Sequence, residues 1–374
     1  MTEGEPAEEL KRTPLEPRHR DLGAKLGPFA GWLMPIGYQG VLAEHRAVRR
    51  AAGLFDLTHL GKVEVTGPGA LGMLQRVVTN DLARIGPGQA QYELVLNDRG
   101  GVVEDLIAYR LDDDRFLLAP NAANVARIVR ILRDEEEAAD GRARVVERRD
   151  RCLLAVQGPS SVDVVSALFP EASELAFMGC AEARYGGERT LVARSGYTGE
   201  VGFELFVPPD VADALWAELH ERVRDAGGGP CGLAARDVLR LEMGYALYGQ
   251  DLSEDRTPLE AGLAWAVAVD KGGFRGRDAL VRQREDGLPS RLRGLRMAER
   301  RHIPRAGYGV FLGDTPIGEV TSGTFSPELG TGIALAYVRP ADAVGVGDEV
   351  EVDVRGRRGT ATVVAPPFVE RSPR

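Results

Sequence analysis

The pattern of apolar and polar positions divides the chain near Ser290. Before that point, period-two runs that suit strands are interleaved with runs at the i, i+3, i+4 spacing of an amphipathic helix. After it only period-two runs remain. Polar residues dominate to about Arg20, and "GPFAGWLMPIGY" then supplies an apolar, glycine-punctuated turn region. In "GVLAEHRAVRRAAGLFDL" the residues Val41, Glu44, His45 and Val48 fall at helical spacing, and a helix is predicted there that stops at Gly53, a residue suited to a left-handed terminus. From Gly61 to Phe116 the order is strand "KVEVTG", helix "GALGMLQRVVTNDL", and strands "QYELVLND", "GGVVEDLIAYR" and "RFLLAP". A helix follows in "NAANVARIVRILRDEEEAA", with Val125, Ile128 and Ile131 on one side. "CLLAVQGPSSVDVVSALF" repeats strand, turn, helix. "RTLVARSGYTGEVGFELFVP" reads as one strand before the helix "DVADALWAELHERV", and "AGGGPCG" opens another helix.

This is α+β patterning around a mostly antiparallel sheet. Beyond Ser290 the runs "RLRGLRMA", "GYGVFLGD", "TPIGEVTSG", "GIALAYV", "DEVEVDVRG" and "RRGTATVV" predict a small all-β barrel or sandwich. A boundary follows: a body over 1–289 and an all-β domain over 290–374. The length of 374 residues and an apolar share of 44% agree with a globular chain of two or three domains.

Charge narrows the partners. The net charge is −9 and the arginines are scattered, so no nucleic acid partner is expected. No run of about 18 apolar residues offers a membrane span, and "MTEGEPAEELKR" lacks the basic-then-apolar pattern of a signal peptide, so a soluble, cytoplasmic protein is expected. Cys152, Cys180 and Cys231 lie far apart without CxxC spacing, and the five histidines show no HxxxH pairing. Neither a disulfide framework nor a metal site is expected, and His45 and His59 read as structural.

Three stretches carry candidate chemistry. In "GGVVEDLIAYR", Glu104 and Asp105 are adjacent on a strand and so point to opposite faces, which should keep them from converging on one atom. Asp105 shares its face with Val103, Ile107 and Tyr109; both faces are mostly apolar, and an edge strand with two solvated acids fits as well. In "GEVGFELFV", Glu204 lies between Gly202 and Phe206, a carboxylate beside a side-chain-free position and an aromatic, suited to a flat, amino-bearing ring. In "LAARDVLRLEMGYALYG", Arg236 shares a face with Leu239 and Met243, opposite the apolar face of Val238, Leu241 and Tyr245. A buried arginine needs a carboxylate or polar ligand, and Glu204 is the candidate partner, with a purely structural Glu–Arg pair as the alternative. "AGGGPCGLAARD" lacks phosphate-loop spacing and reads as a tight turn, and "RSGYTGE" lacks a nucleophile elbow, leaving Ser195 without an obvious base.

Taken together, "FAGWLMPIGYQGVLAEHRAVRRAAGLFDLTHLGKVEVTGPGAL", "TNDL", "GQAQYELVLNDRGGVVEDLIAYR", "NAAN", "LAVQGP", "SGYTGEVGFEL", "GLAARDVLRLEMGYALYGQDLSEDRTPLEAGLAW" and "TSGTFSPELGTGIALAYV" resemble the T-protein family of the glycine cleavage system, the aminomethyltransferases. The resemblance spans about residues 13 to 370. It implies two intertwined α/β folate-binding domains followed by a C-terminal β-barrel. It also implies transfer of a methylene group from an aminomethylated dihydrolipoyl arm, carried by the lipoylated H protein, to tetrahydrofolate, with release of ammonia. On the matching positions Asp105 is the catalytic aspartate and Glu104, often aspartate in the family, the outward residue. Glu204 and Arg236 become the pterin-binding pair, Tyr92, Asn121 and Tyr197 folate contacts, and Trp265 and Leu60 apolar walls. Leu60 is often methionine in the family, a departure that touches packing.

The superfamily also holds folate-dependent demethylases, which share the folate pocket, and relatives linked to iron–sulfur maintenance that carry a lysine-glycine-cysteine motif. The matching "VDKGGFRGRDAL" has no cysteine. "TPLEAGLAW" and "LYGQDL" favour the glycine cleavage branch, and the retained Asp105 speaks against a non-catalytic folate-binding scaffold. The run "RLRGLRMAERRHIPR", with Arg300 and Arg301, is suited to docking an acidic lipoyl carrier, although solvated strand edges explain it too.

Overall fold

Each period-two run after Ser290 folds as a strand: Arg291–Met297, Gly309–Leu312, Thr315–Ser326, Thr331–Val338, Glu349–Asp353 and Arg358–Val364. The first pairs with both the fourth and the last, which closes a barrel. Alternate side chains such as Leu295, Val310, Val320, Ala336, Val352 and Val363 fill its interior. The computed structural model describes residues 9–371 and residue 373.

Among the described residues the body contains three further sheets. Six strands run in the order Cys180–Tyr185, Glu188–Ala193, Gly202–Val207, Cys152–Gln157, Gly53–Asp56 and Gly229–Pro230, antiparallel except for the last pair. Five antiparallel strands run Gln89–Leu96, Val102–Asp112, Arg115–Pro120, Val63–Thr66 and Arg144–Glu147. The chain leaves the six-stranded sheet after Asp56, builds the five-stranded one, and returns at Cys152, so the two units are interleaved. Helices cover the outer face of each: Pro209–Asp225 packs Leu215, Trp216 and Leu219 against one core, and Ala70–Val77 with Val125–Ala138 pack Met73, Leu74 and Ile128 against another. A third apolar cluster, including Phe55, Tyr109, Leu117, Ala155 and Phe206, lies where the two sheets face each other. This seam positions the candidate site. No described helix is long and apolar enough to cross a membrane.

Three local expectations are corrected. The helix from Val41 ends at Arg50, and Gly53 begins a strand instead of capping it. Gly53 is needed for packing, since a Cβ there would lie 2.4 Å from Val48 Cγ2 and 2.8 Å from Cys231 Sγ. The glycine-punctuated region after Arg20 is a hairpin of Lys25–Phe29 and Trp32–Gly37, turned by Ala30 and Gly31 with φ of 47° and 80°. "RTLVARSGYTGEVGFELFVP" is two strands, Glu188–Ala193 and Gly202–Val207, joined by an irregular segment that carries Ser195 and Tyr197.

Candidate active site

The two acids sit where the strand Val102–Asp112 escapes regular pairing. Its ladder with Arg115–Pro120 begins only at Leu106, opposite Pro120. Its register with Gln89–Leu96 slips so that Val103 has no opposite residue, a bulge of the kind that re-aims neighbouring side chains. Asn121 follows directly on the shorter strand and fills the gap. Its Nδ2 donates to Glu104 Oε1 at 2.9 Å and to Asp105 Oδ1 at 3.0 Å.

Two expectations therefore fail. The acids do converge on one atom, because strand alternation presumes an unbroken ladder. Glu104 is not the outward residue: it is 0% exposed, whereas Asp105 is half-buried. Glu104 accepts from the Asn121 backbone N–H and amide, and from Asn124 Nδ2. Burial, reinforced by the Asp105 charge, pushes its carboxyl up to about 8. Asp105 Oδ2 accepts from Tyr92 Oη at 3.0 Å. Burial raises the Asp105 carboxyl to about 6, against the hydrogen bonds from Tyr92 and Asn121 and, more weakly, the charge of Arg236. The Tyr92 ring lies 5.3 Å from that of Trp265, itself 65% exposed.

Asp105, Ile107 and Tyr109 alternate on one strand face, which carries Tyr109 about 13 Å farther along. There Tyr109 Oη donates to Glu204 Oε2 at 2.9 Å, and Ser195 Oγ donates to the same oxygen at 2.5 Å. Glu204 Oε1 takes no hydrogen bond from any described residue. Glu204 and Arg236 line one small cavity together with Phe55, Leu57, Gln157 and Tyr197. The expected Glu204–Arg236 ion pair is not made. Arg236 lies over the Tyr197 ring at 4.5 Å and is half-buried, with its pKa lowered by burial. On this helix the arginine that is fully buried is Arg240, 1% exposed, bonded to Asp251 at 2.8 Å. Nor is the space beside Gly202 open to a ring: a Cβ there would lie 2.2 Å from Gln157 Nε2, and one at Gly196 would lie 1.9 Å from Gln157 Oε1.

Residues 15–271 match the family described as the GCVT N-terminal domain, and residues 291–370 match the glycine cleavage T-protein C-terminal barrel domain. The chain is 50% identical over 365 residues to an aminomethyltransferase of Mycobacterium leprae (strain TN), covering 97% of this chain and 98% of that protein. It is 52% identical over 371 residues to one of Parafrankia sp. (strain EAN1pec), covering 98% and 100%. The chain belongs to the glycine cleavage T-protein family. The solved glycine cleavage system aminomethyltransferase T from Bartonella henselae superposes with a TM-score of 0.90 at 38% identity, over 97% of this chain and 99% of that one.

Within this T-protein fold the expected residues form two groups. Asp105, Tyr92 and Asn121 are directly bonded, with Trp265 against Tyr92; Glu204, Arg236 and Tyr197 line one cavity. Leu60 is partly buried against the seam cluster, and Tyr197 Oη donates to the Ala246 carbonyl. Sequence reasoning missed Ser195, Tyr109 and Gln157 as supports. Ser195 has no base beside it in the sequence, yet its hydroxyl holds Glu204, and Tyr109 shares a strand face with Asp105. All three cysteines are buried and free, and no described cluster of His, Cys, Asp and Glu suits a metal ion. His59 is buried, and burial together with the Arg236 charge lowers its pKa to about 3.

Proposed function

We propose that the chain is an aminomethyltransferase that moves the methylene of an aminomethyl-dihydrolipoyl arm, presented by the lipoylated H protein, to tetrahydrofolate, with Asp105 as the catalytic carboxylate. The observation that carries this reading is Asp105 itself: half-buried, fixed by Tyr92 and Asn121, and on the strand face that leads to Tyr109 and Glu204. In the reaction the carbon loses its bonds to sulfur and to the amine and gains bonds to the two folate nitrogens. The protons of those nitrogens end on ammonia and on the lipoyl thiol. Cationic character develops on the methylene as either bond breaks, and a carboxylate held in a poorly solvated pocket stabilises it. A carboxyl poised near 6 can also take a proton from a folate nitrogen and return it.

Glu204 supports the pterin end of this reading. With Oε2 held by Tyr109 and Ser195, its Oε1 is an acceptor for the N–H groups of a pterin edge. Arg236 and Tyr197 would flank the ring, and Leu60, Tyr92 and Trp265 would wall the path toward the methylene. The test is ammonia release from aminomethyl-lipoyl carrier with and without tetrahydrofolate, for the native chain and Asp105→Asn. Folate-stimulated release that the substitution removes is expected. Release independent of folate in both proteins would overturn the assignment.

A further inference from the structure

The barrel lends no described residue to the cavity beside Glu204, whose lining comes from the body. It reaches that lining through two hydroxyls. In the strand Thr315–Ser326, Val320 faces Ala336 and Ser322 faces Leu335, so Thr321 has no opposite residue. Such a bulge can turn two successive side chains toward one place, where an unbroken ladder would send them to opposite faces. Thr321 Oγ1 donates to Asp251 Oδ1 at 2.5 Å, and Ser322 Oγ donates to Asp251 Oδ2 at 2.9 Å while accepting from Arg240 Nη2 at 2.8 Å. Asp251 is itself 0% exposed, so its ion pair with Arg240 lies out of water where helix and barrel meet.

The same pair fixes the segment that follows the helix Leu233–Glu242. Arg240 Nη1 donates to the Tyr245 carbonyl at 3.0 Å, and Asp251 Oδ2 accepts from the Leu247 N–H at 2.9 Å. Ala246 stands between these two anchors, and its carbonyl takes the Tyr197 hydroxyl. The Tyr245 ring stacks on that of Tyr197 at 5.6 Å, with 28° between their planes. Tyr197 in turn lies under Arg236, which has no ion pair with a described residue, so the ring is what orients that guanidinium. Loss of a barrel hydroxyl would leave part of a buried carboxylate–guanidinium pair unsatisfied, and the segment that the pair holds would take up the slack.

We infer that Thr321 and Ser322 of the barrel are positioning residues for the pterin end of the site, acting on Arg236 through Asp251, Arg240 and Tyr197; the inference rests on the function proposed above. Ammonia release with saturating aminomethyl-lipoyl carrier and varied tetrahydrofolate tests it, for the native chain, Ser322→Ala, Thr321→Val and Ser326→Ala. Ser326 is the control, a hydroxyl of the same strand that joins barrel to helix by donating to Glu242 at 2.6 Å. Ser322→Ala and Thr321→Val should each raise the KM for tetrahydrofolate by about fivefold or more with kcat within about twofold of native, and the calorimetric Kd for tetrahydrofolate should rise by the same factor. Ser326→Ala should lower the thermal midpoint as Ser322→Ala does and leave KM unchanged, a split that lost stability alone would not produce. Thr321→Val keeps the side-chain shape, so it carries the test if Ser322→Ala does not fold. A KM unmoved by the first two substitutions, or raised equally by Ser326→Ala, would overturn the inference and leave the reading of Asp105 standing. Folate-independent release by the native chain would overturn both.

Discussion

Two sets of buried carboxylates are treated in opposite ways by this chain. Where the helix Leu233–Glu242 docks on the barrel, Glu242 accepts from His45 at 2.8 Å, Arg49 at 2.6 Å and Ser326 at 2.6 Å. Burial raises its pKa, but the neighbouring cations outweigh that and hold it down at about 2. At the end of the seam, Glu104 and Asp105 are met by neutral donors, the amides of Asn121 and Asn124 and the Tyr92 hydroxyl, and their carboxyls rise to about 8 and about 6. Burial is common to both; the charge of the partner decides the direction. A carboxylate neutralised by arginine is a permanent anion that pins two domains together. One held by amides and a phenol can titrate in the physiological range, which is what proton transfer needs.

Substitutions sharpen this contrast. Asp105→Asn keeps size and most hydrogen bonds but removes the titratable oxygen, and should lower kcat by about 10²- to 10⁴-fold with little change in thermal midpoint. Glu242→Gln should do the reverse. Arg49 would keep Glu200 at 3.0 Å but lose its closer carboxylate, which should cost about 1.5–3 kcal/mol in denaturant unfolding while activity per folded molecule persists. If Glu242→Gln proved silent in unfolding, the joint would not depend on its charge.

The pH response should separate the same two groups. With Asp105 needed as carboxylate, kcat should fall about tenfold per unit below pH 6. Glu104 has a folded pKa above its unfolded one, so its contribution to stability is full in acid and is lost as pH rises through about 8. Glu242 has a lowered folded pKa, so its contribution is present above the ordinary glutamate range and is lost as pH falls toward about 2. Glu104→Gln should therefore flatten the fall of the thermal midpoint between the ordinary glutamate range and about pH 8, and leave the acid limb. It should also lower kcat by about tenfold, because Asn121 loses part of what orients it toward Asp105. The smallest effect is expected far from both groups: charge reversal at Arg300 and Arg301 should slow capture of an acidic lipoyl carrier several-fold at low salt and less at high salt.

The barrel was almost wholly legible, since six alternating runs separated by turn residues map onto six strands and side-chain period two specifies the filled interior. The site was legible in its residue types and not in its contacts. Alternation could not foresee that an unopposed Val103 and an early-ending neighbour would turn Glu104 inward onto Asn121. Residue chemistry suggested that Glu204 needs a partner, but Tyr109 and Ser195, contributed by two distant segments, take the place assigned to Arg236. Helical position marked Arg236 for burial, whereas Arg240, one turn on, is the one that packing closes over. In each case the deciding fact is a long-range approach, which no local pattern encodes.

Because Gly53–Asp56 and Cys152–Gln157 are hydrogen-bonded neighbours, residues 57–151 leave and re-enter the six-stranded sheet through adjacent doorways. Closing so long an excursion adds little entropy beyond that of a short one, since the penalty grows only with the logarithm of length. The excursion has its own sheet, helices and core, so it can condense while its host is still open. Asp105 and Asn121 are then expected to meet before Glu204 is in place. Pulse-labelled hydrogen exchange during refolding should protect strand Val102–Asp112 before Gly202–Val207, and simultaneous protection would mean that host and guest fold as one.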